Sequence, residues 1–331
     1  MYLIKKLYHP ENFQGKYKKT NYFEGWYFKN IDKKRENVLA VIPGISLDTE
    51  RLDNHAFIQV LDAKNCKVSY IRYNISEFKF DNNKFQIQIG DNFFSRKEMR
   101  LNIEDDNINI LGHLSFSNII RYPKTLTHPG IMGPYSFVPF MECYHGIINI
   151  HHDISGQLNI SEKEIDFSHG YGYIEKDWGK SFPESWIWFQ SNHFGLDDVT
   201  IMFSAAKIPW IGRSFLGLIS FIRIKDKIFH FSTYTRAKIS KLDYKDNNLR
   251  VALEDKKYRL EMHVTNSKGG ILKAPQNGLM HREILESIDA TIGVKFSYIN
   301  GKIIYQGEGK NTGFEIVNEA EALDSLWKMK K

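Results

Sequence analysis

The chain is poor in the features that mark several common protein classes. It has two cysteines, Cys66 and Cys143, among 331 residues. Two are too few for a disulfide framework and point to a reducing, cytoplasmic setting. No apolar run reaches the roughly 18 residues of a membrane span; the nearest, Ser214 to Ile224, is interrupted by Arg223. The opening Met1 to Pro10 lacks the unbroken apolar stretch of about 7–15 residues expected of a secretory leader. The net charge of +6 is scattered and accompanies no recognition motif, which argues against a nucleic-acid partner. Phosphate-binding loop, dinucleotide fingerprint, nucleophile elbow and zinc-protease helix motifs are all missing, so hydride, phosphoryl and triad chemistries lack their usual marks.

Aromatic residues are what the chain has in excess: 6 Trp, 17 Tyr and 23 Phe, or 14%. They suffice for a large core and leave flat apolar surface for a ligand cavity. Short runs rich in Val, Ile, Tyr and Phe alternate with polar turns every eight to twelve residues or so, the spacing of an all-β protein. Val38 to Ile42, His55 to Leu61, Val68 to Asn74, Lys84 to Ile89, Met99 to Ile103 and Ile108 to Phe116 are such runs. Asn300-Gly301 reads as a hairpin turn between Val294–Ile299 and Lys302–Gln306. A helix is expected only after Asn318, where Leu323, Leu326 and Trp327 recur at helical spacing. Residues 121–193 hold five of the nine prolines and read as the seam between two β domains, 1–168 and 169–331.

Four segments combine aromatic and titratable residues. In Ser185 to His193, strand alternation places Trp186, Trp188, Gln190 and Asn192 on one face, as a core strand or as a cavity wall. In Phe137 to His145, Glu142 shares a face with Phe140 and Tyr144. Burial there would favour a protonated carboxyl, as a general acid requires, unless the group pairs with His145 or Arg72. Tyr171 to Gly179 reads as a structured turn in which Asp177 either orients a proton donor or fixes the turn with Lys176. Phe23 to Phe28 puts Glu24, Trp26 and Phe28 on one strand face. Two further clusters are weaker. His151-His152-Asp153 has no third ligand at metal-site spacing, so no metal is expected, and Cys143 with His145 lacks an orienting third group.

These segments resemble the tocopherol cyclase family. The matching stretches run in order from Phe23 to Lys29, Ile131 to Gly146, Gly172 to Gly179 and Trp186 to Phe194, then Met280 to Ser287 and Gly313-Phe314-Glu315. The resemblance, which extends to the hydroxyneurosporene synthase group, implies two lipocalin-like antiparallel barrels side by side with a short C-terminal helix. It also implies a cofactor-free reaction on a hydrophobic small molecule: an acid protonates the alkene of a prenylated quinol, and the phenolic oxygen captures the tertiary cation. The acid is expected to be Glu142, with Asp177 and Glu24 as rivals. Trp26, Trp178, Trp186 and Trp188 would face the cation and Tyr144 the substrate, while Gln190, Asn192 and His193 would anchor the head group. A hydratase acting on a polyene and a carrier that leaves its ligand unchanged are the competing readings. A transient membrane contact is expected at Ile208-Pro209-Trp210-Ile211 with Arg213, unless that segment packs at the domain seam.

Overall fold

The computed structural model describes residues 6–195, 198–210 and 212–318. Among them nearly all regular structure is β, as the alternation predicts. The first sheet contains β1 (Tyr22–Ile31), β2 (Val38–Leu47), β3 (His55–Asp62), β4 (Lys67–Asn74), β5 (Phe78–Phe80) and β6 (Gln86–Ile89). It continues through β7 (Asn92–Ser95), β8 (Glu98–Asp105), β9 (Ile108–Arg121), β10 (Cys143–Ile160), β11 (Lys163–Asp166) and β12 (Gly170–Gly179). Its order is β4-β3-β2-β1-β12-β10-β9-β8-β7-β6-β5, with β11 paired to β10. Most connections are hairpins between sequence neighbours; the long-range joins place β12 between β1 and β10.

The second sheet is built from β13 (Trp186–Ser191), β14 (Val199–Trp210), β15 (Arg213–Ile224), β16 (Lys227–His230) and β17 (Lys238–Lys245). It adds β18 (Asn248–Glu254), β19 (Tyr258–Thr265), β20 (Gly270–Gln276), β21 (Leu279–Tyr298) and β22 (Ile303–Val317). The Asn300-Gly301 hairpin forms between the last two strands, with Gly301 at φ 88° and the Asn300 side chain accepting from the Lys302 amide. The helix expected after Asn318 lies outside the described residues.

Two compact units result: residues 1–182 with 271–283, and residues 183–270 with 284–331. An expected boundary at 168/169 falls before β12, whose pairing with β1 and β10 makes it part of the first sheet. Segment 271–283 is tied to the first unit because Gln59 exchanges hydrogen bonds with the Lys273 backbone and Ser46 donates to the Gly278 carbonyl.

Each unit has its own apolar core. The first packs Trp26, Phe28, Phe94, Leu114, Leu158 and Ile174 between strands of one sheet; the second packs Ile187, Phe189, Phe203, Leu253 and Phe296. Close approach is built in at Gly172, where a Cβ would collide with the His152 imidazole. His152 is itself fully buried, and burial pushes it well below the usual histidine range. Among the described residues no helix is long and apolar enough to cross a membrane.

Candidate active site

Strand β12 carries titratable side chains on both of its faces. Antiparallel pairing sets His145 opposite Asp177, Tyr144 opposite Trp178 and Glu24 opposite Trp178 on the other flank. Because successive side chains point to opposite faces, Tyr173, Glu175 and Asp177 share one face with His145, while Ile174, Lys176 and Trp178 turn toward the core. Asp177 therefore lies within a strand, and the turn expected around it is not formed. Opposite charges between glycines gave the turn pattern, but each finds its partner on a neighbouring strand.

On the core-facing side, Glu24 and Lys176 are fully buried and 2.5 Å apart. Glu24 also accepts from the Gln14 amide at 2.8 Å, the Gly15 amide at 2.9 Å and the Tyr22 hydroxyl at 2.5 Å. Lys176 donates further to the Pro10 and Asn12 carbonyls and lies 4.6 and 4.8 Å from the ring centroids of Trp26 and Trp178. Burial lowers Lys176 to about 8 against the pull of Glu24. The pair thus clamps residues 10–15 against the sheet. Trp26 belongs to the same clamp: its ring is wholly buried, stacks on Phe85 and donates to the Glu11 carbonyl. Burial pushes the Glu11 carboxyl up, but Lys124 and Arg96 at 2.8 and 2.7 Å outweigh it and bring it to about 2.

On the opposite side, His145 Nδ1 is 2.9 Å from Asp177 Oδ1 and its Nε2 is 3.5 Å from Glu175 Oε2. The Tyr173 hydroxyl donates to Glu175 at 2.7 Å. Asp177 is the more open of the two carboxylates, with 24% of its side chain exposed against 6% for Glu175. The Nδ1 contact with Asp177 is a hydrogen bond, and the approach of Nε2 to Glu175 is the looser one. Donor atoms of His145, Glu175 and Asp177 all lie within 4.8 Å of one another, which is also close enough for a divalent cation. Such an ion would compete with the His145–Asp177 hydrogen bond for the same atoms. Burial, reinforced by Asp177, pushes the Cys143 thiol well up, and its Sγ lies 3.8 Å from Asp177 Oδ1 as a weak donor, so it is no thiolate nucleophile.

Of this group only His145 lines a cleft of about 240 Å³; Glu175 and Asp177 are not among its lining residues, and its other walls are Tyr144, Trp178, Met132, Gly130, Phe137, Val138, Pro139 and, from the clamped segment, Pro10 and Gln14. Tyr144 stacks on Trp178 with centroids 5.6 Å apart, and its hydroxyl donates to the Val138 carbonyl at 2.8 Å. Burial raises Tyr144 above the ordinary phenol range, so it is neutral.

Glu142 is not one of the lining residues. The strand expected over Phe137–His145 starts only at Cys143. Gly133–Phe137 forms a short 3₁₀ turn, Pro139 follows, and Phe140 takes a left-handed backbone (φ 63°) with its side chain 94% exposed. Phe140, Glu142 and Tyr144 therefore share no strand face. Glu142 sits half-buried in the bend before β10, its carbonyl accepting from the Lys180 and Ser181 amides. The two partners expected for it pair elsewhere, Arg72 with Asp53 and His145 with Asp177.

Of the other expected ligand-contacting residues, Trp186, Trp188, Gln190, Asn192 and His193 lie on or just after β13 in the second unit, and all are buried. Alternation there is as expected: Ile187 and Phe189 enter that unit's core, whereas Trp186 and Trp188 do not. Trp186 Nε1 donates to Glu315 at 2.6 Å. Ile208 and Pro209 extend β14 toward its tip, and Ile211 lies outside the described residues. The residue missed by sequence reasoning is Glu175; its signal was the i, i+2 alternation of Tyr173, Glu175 and Asp177.

A search of curated proteins finds no match to the chain. Its fold is similar to that of an AttH-type protein from Nitrosomonas europaea, at 14% identity over 88% of this chain and 92% of that one, with a TM-score of 0.50. It is also similar to CghA, at 9% identity over 89% and 88% of the two chains, with a TM-score of 0.55. At such identities the likeness is one of fold, and that fold is lipocalin-like. A family model described as tocopherol cyclase-like matches residues 102–317, a span that includes β10, β12, β13 and the His145–Glu175–Asp177 group. With more than half of its length matched, the chain belongs to the tocopherol cyclase-like family.

Proposed function

We propose that this chain is an acid-catalysed isomerase that cyclises an alkene-bearing prenyl lipid, such as a prenylated quinol, at the cleft beside β12. The observation that carries this reading is that His145, whose imidazole lies 2.9 Å from Asp177, lines an aromatic cleft. Asp177 supplies the proton through His145, the member of the group that lines the cleft, whereas Glu175 is held as an acceptor by the Tyr173 hydroxyl. The proton adds to one alkene carbon and leaves a tertiary cation on the other. The phenolic oxygen of the same molecule closes the ring, and its proton returns to the Asp177–His145 pair. No atoms are gained or lost.

Tyr144 supports the cation. Trp178, its stacking partner, already has the Lys176 ammonium near its ring, so Tyr144 is the aromatic left for substrate. Glu24 is excluded as the acid because its oxygens are taken up by Lys176, Tyr22 and two backbone amides. At about 240 Å³ the cleft falls below the roughly 300–1,000 Å³ of pockets that enclose a whole drug-sized ligand, so the reacting end enters and the rest of the chain trails outside.

The test is incubation with a prenylated hydroquinone, followed by mass and retention of the product. Cyclisation leaves the mass unchanged and shifts retention. A gain of one water would assign a hydratase, and ligand bound tightly but returned unaltered would assign a carrier. Glu142→Gln should retain turnover; loss in that variant with Asp177→Asn still active would move the acid to Glu142. Chelation should leave turnover intact, and loss restored by a divalent cation would make His145, Glu175 and Asp177 a metal site instead.

A further inference from the structure

We propose that the rim of this cleft docks on the surface of an anionic lipid bilayer. That the substrate enters there rests on the prenyl-lipid reading above; the docking itself does not. Isolated exposed apolar side chains are ordinary, but a cluster at the mouth of an apolar cleft is not. Phe140 is 94%, Leu126 85% and Phe137 46% exposed. They are contiguous: Tyr8 donates to the Leu126 carbonyl and packs edge-on against Phe137, and Pro139, next to Phe140, lines the cleft with Phe137. Phe140 is also a bulky residue in the left-handed region, a backbone conformation that such residues rarely adopt.

The charge around this patch favours anionic lipid over a neutral partner. Lys16 and Lys18 are exposed and lie close enough to Lys6, in the cleft wall, to act on it electrostatically. Between them Tyr17 is 69% exposed, a basic–aromatic pattern typical of membrane interfaces. Arg121 at the end of β9 and Lys180 just after β12 are also exposed. Of the acids nearby, Glu11 is already paired with Arg96 and Lys124, which leaves Glu142 and Asp177, both only partly exposed. Apolar side chains that insert and lysines that hold headgroups are the two signals that together give stable surface binding.

Sedimentation of the full chain with vesicles tests this. The protein should pellet with phosphatidylcholine–phosphatidylglycerol vesicles, less with phosphatidylcholine alone, and less again at high salt. The double variant Leu126→Asp/Phe140→Asp should weaken binding by about tenfold or more. Leu111→Asp/Ile303→Asp, at exposed apolar positions on β9 and β22, should not weaken it and controls for the two added negative charges. Failure of the wild type to pellet would overturn the proposal, as would equal losses in the control and Leu126→Asp/Phe140→Asp variants. Self-association abolished by the latter, without vesicle binding, would also overturn it and make the patch a protein contact. Asp177→Asn should bind vesicles like wild type, so docking and reaction chemistry fail or hold separately.

Discussion

The two faces of β12 use similar charges to opposite ends. On one, Glu24 and Lys176 are sealed from water, and their hydrogen-bonding capacity is consumed by each other and by residues 10–15. On the other, His145, Glu175 and Asp177 form a smaller set of contacts, and His145 reaches the cleft. Lys176 and Asp177 are adjacent in sequence, so neither composition nor position along the chain separates their roles. What separates them is saturation. A carboxylate whose lone pairs are all occupied has nothing to offer a partner, whereas one that is hydrogen-bonded to an imidazole and meets solvent is placed to exchange a proton.

Substitutions on the two faces should therefore fail differently. Asp177→Asn should lower turnover by about 10²–10⁴-fold, the usual contribution of a general acid, with little change in the unfolding midpoint. Steady-state rates alongside thermal denaturation check this, and parallel loss of both would place Asp177 among the structural residues. Lys176→Met leaves Glu24 buried without its cation and should destabilise the fold by about 3–5 kcal/mol, read from denaturant midpoints. Adding Glu24→Gln to that variant should recover part of the loss, because it removes the uncompensated charge and keeps an amide oxygen for the Gln14 and Gly15 amides.

The clamp should also be visible in acid. Glu11 is held at about 2 in the folded chain against an unfolded value near 4.5, so the unfolded state binds more protons between those values. Its stabilisation is complete above about 4.5 and is lost as the pH falls toward about 2. Glu11→Gln should flatten the stability profile in that window, as read from denaturant midpoints at each pH. The smallest effect expected is that of Tyr144→Leu, which removes an aromatic face worth about 0.5–2 kcal/mol to a desolvated cation. It should reduce kcat by no more than about thirtyfold and leave the unfolding midpoint close to wild type.

Much of this fold was legible because strand alternation is a local signal. The Trp186–Ser191 strand, the Glu24–Trp26–Phe28 face and the Asn300-Gly301 hairpin all appear where the pattern puts them. The chemistry was less legible because it depends on partners far apart in sequence. Nothing local shows that Glu24 meets Lys176, or that His145 rather than Glu142 reaches the carboxylates of β12. Glu142 looked like a buried acid because its neighbours are aromatic, yet Pro139 and the left-handed Phe140 delay the strand until Cys143. A run of apolar residues marks burial only where the backbone is regular.

The clamp also has a bearing on the order in which the molecule is assembled. Pro10 and Gln14 form one wall of the cleft, but they are held by Glu24 on β1 and Lys176 on β12. Those strands pair only after some 150 intervening residues have been drawn in, and pairings of such separation are slow to form. Hairpins such as β2–β3 and β8–β9 can close early without creating any part of that wall. The cleft is thus a late product of folding, and partly folded chains should regain β-structure before they regain a place for the substrate.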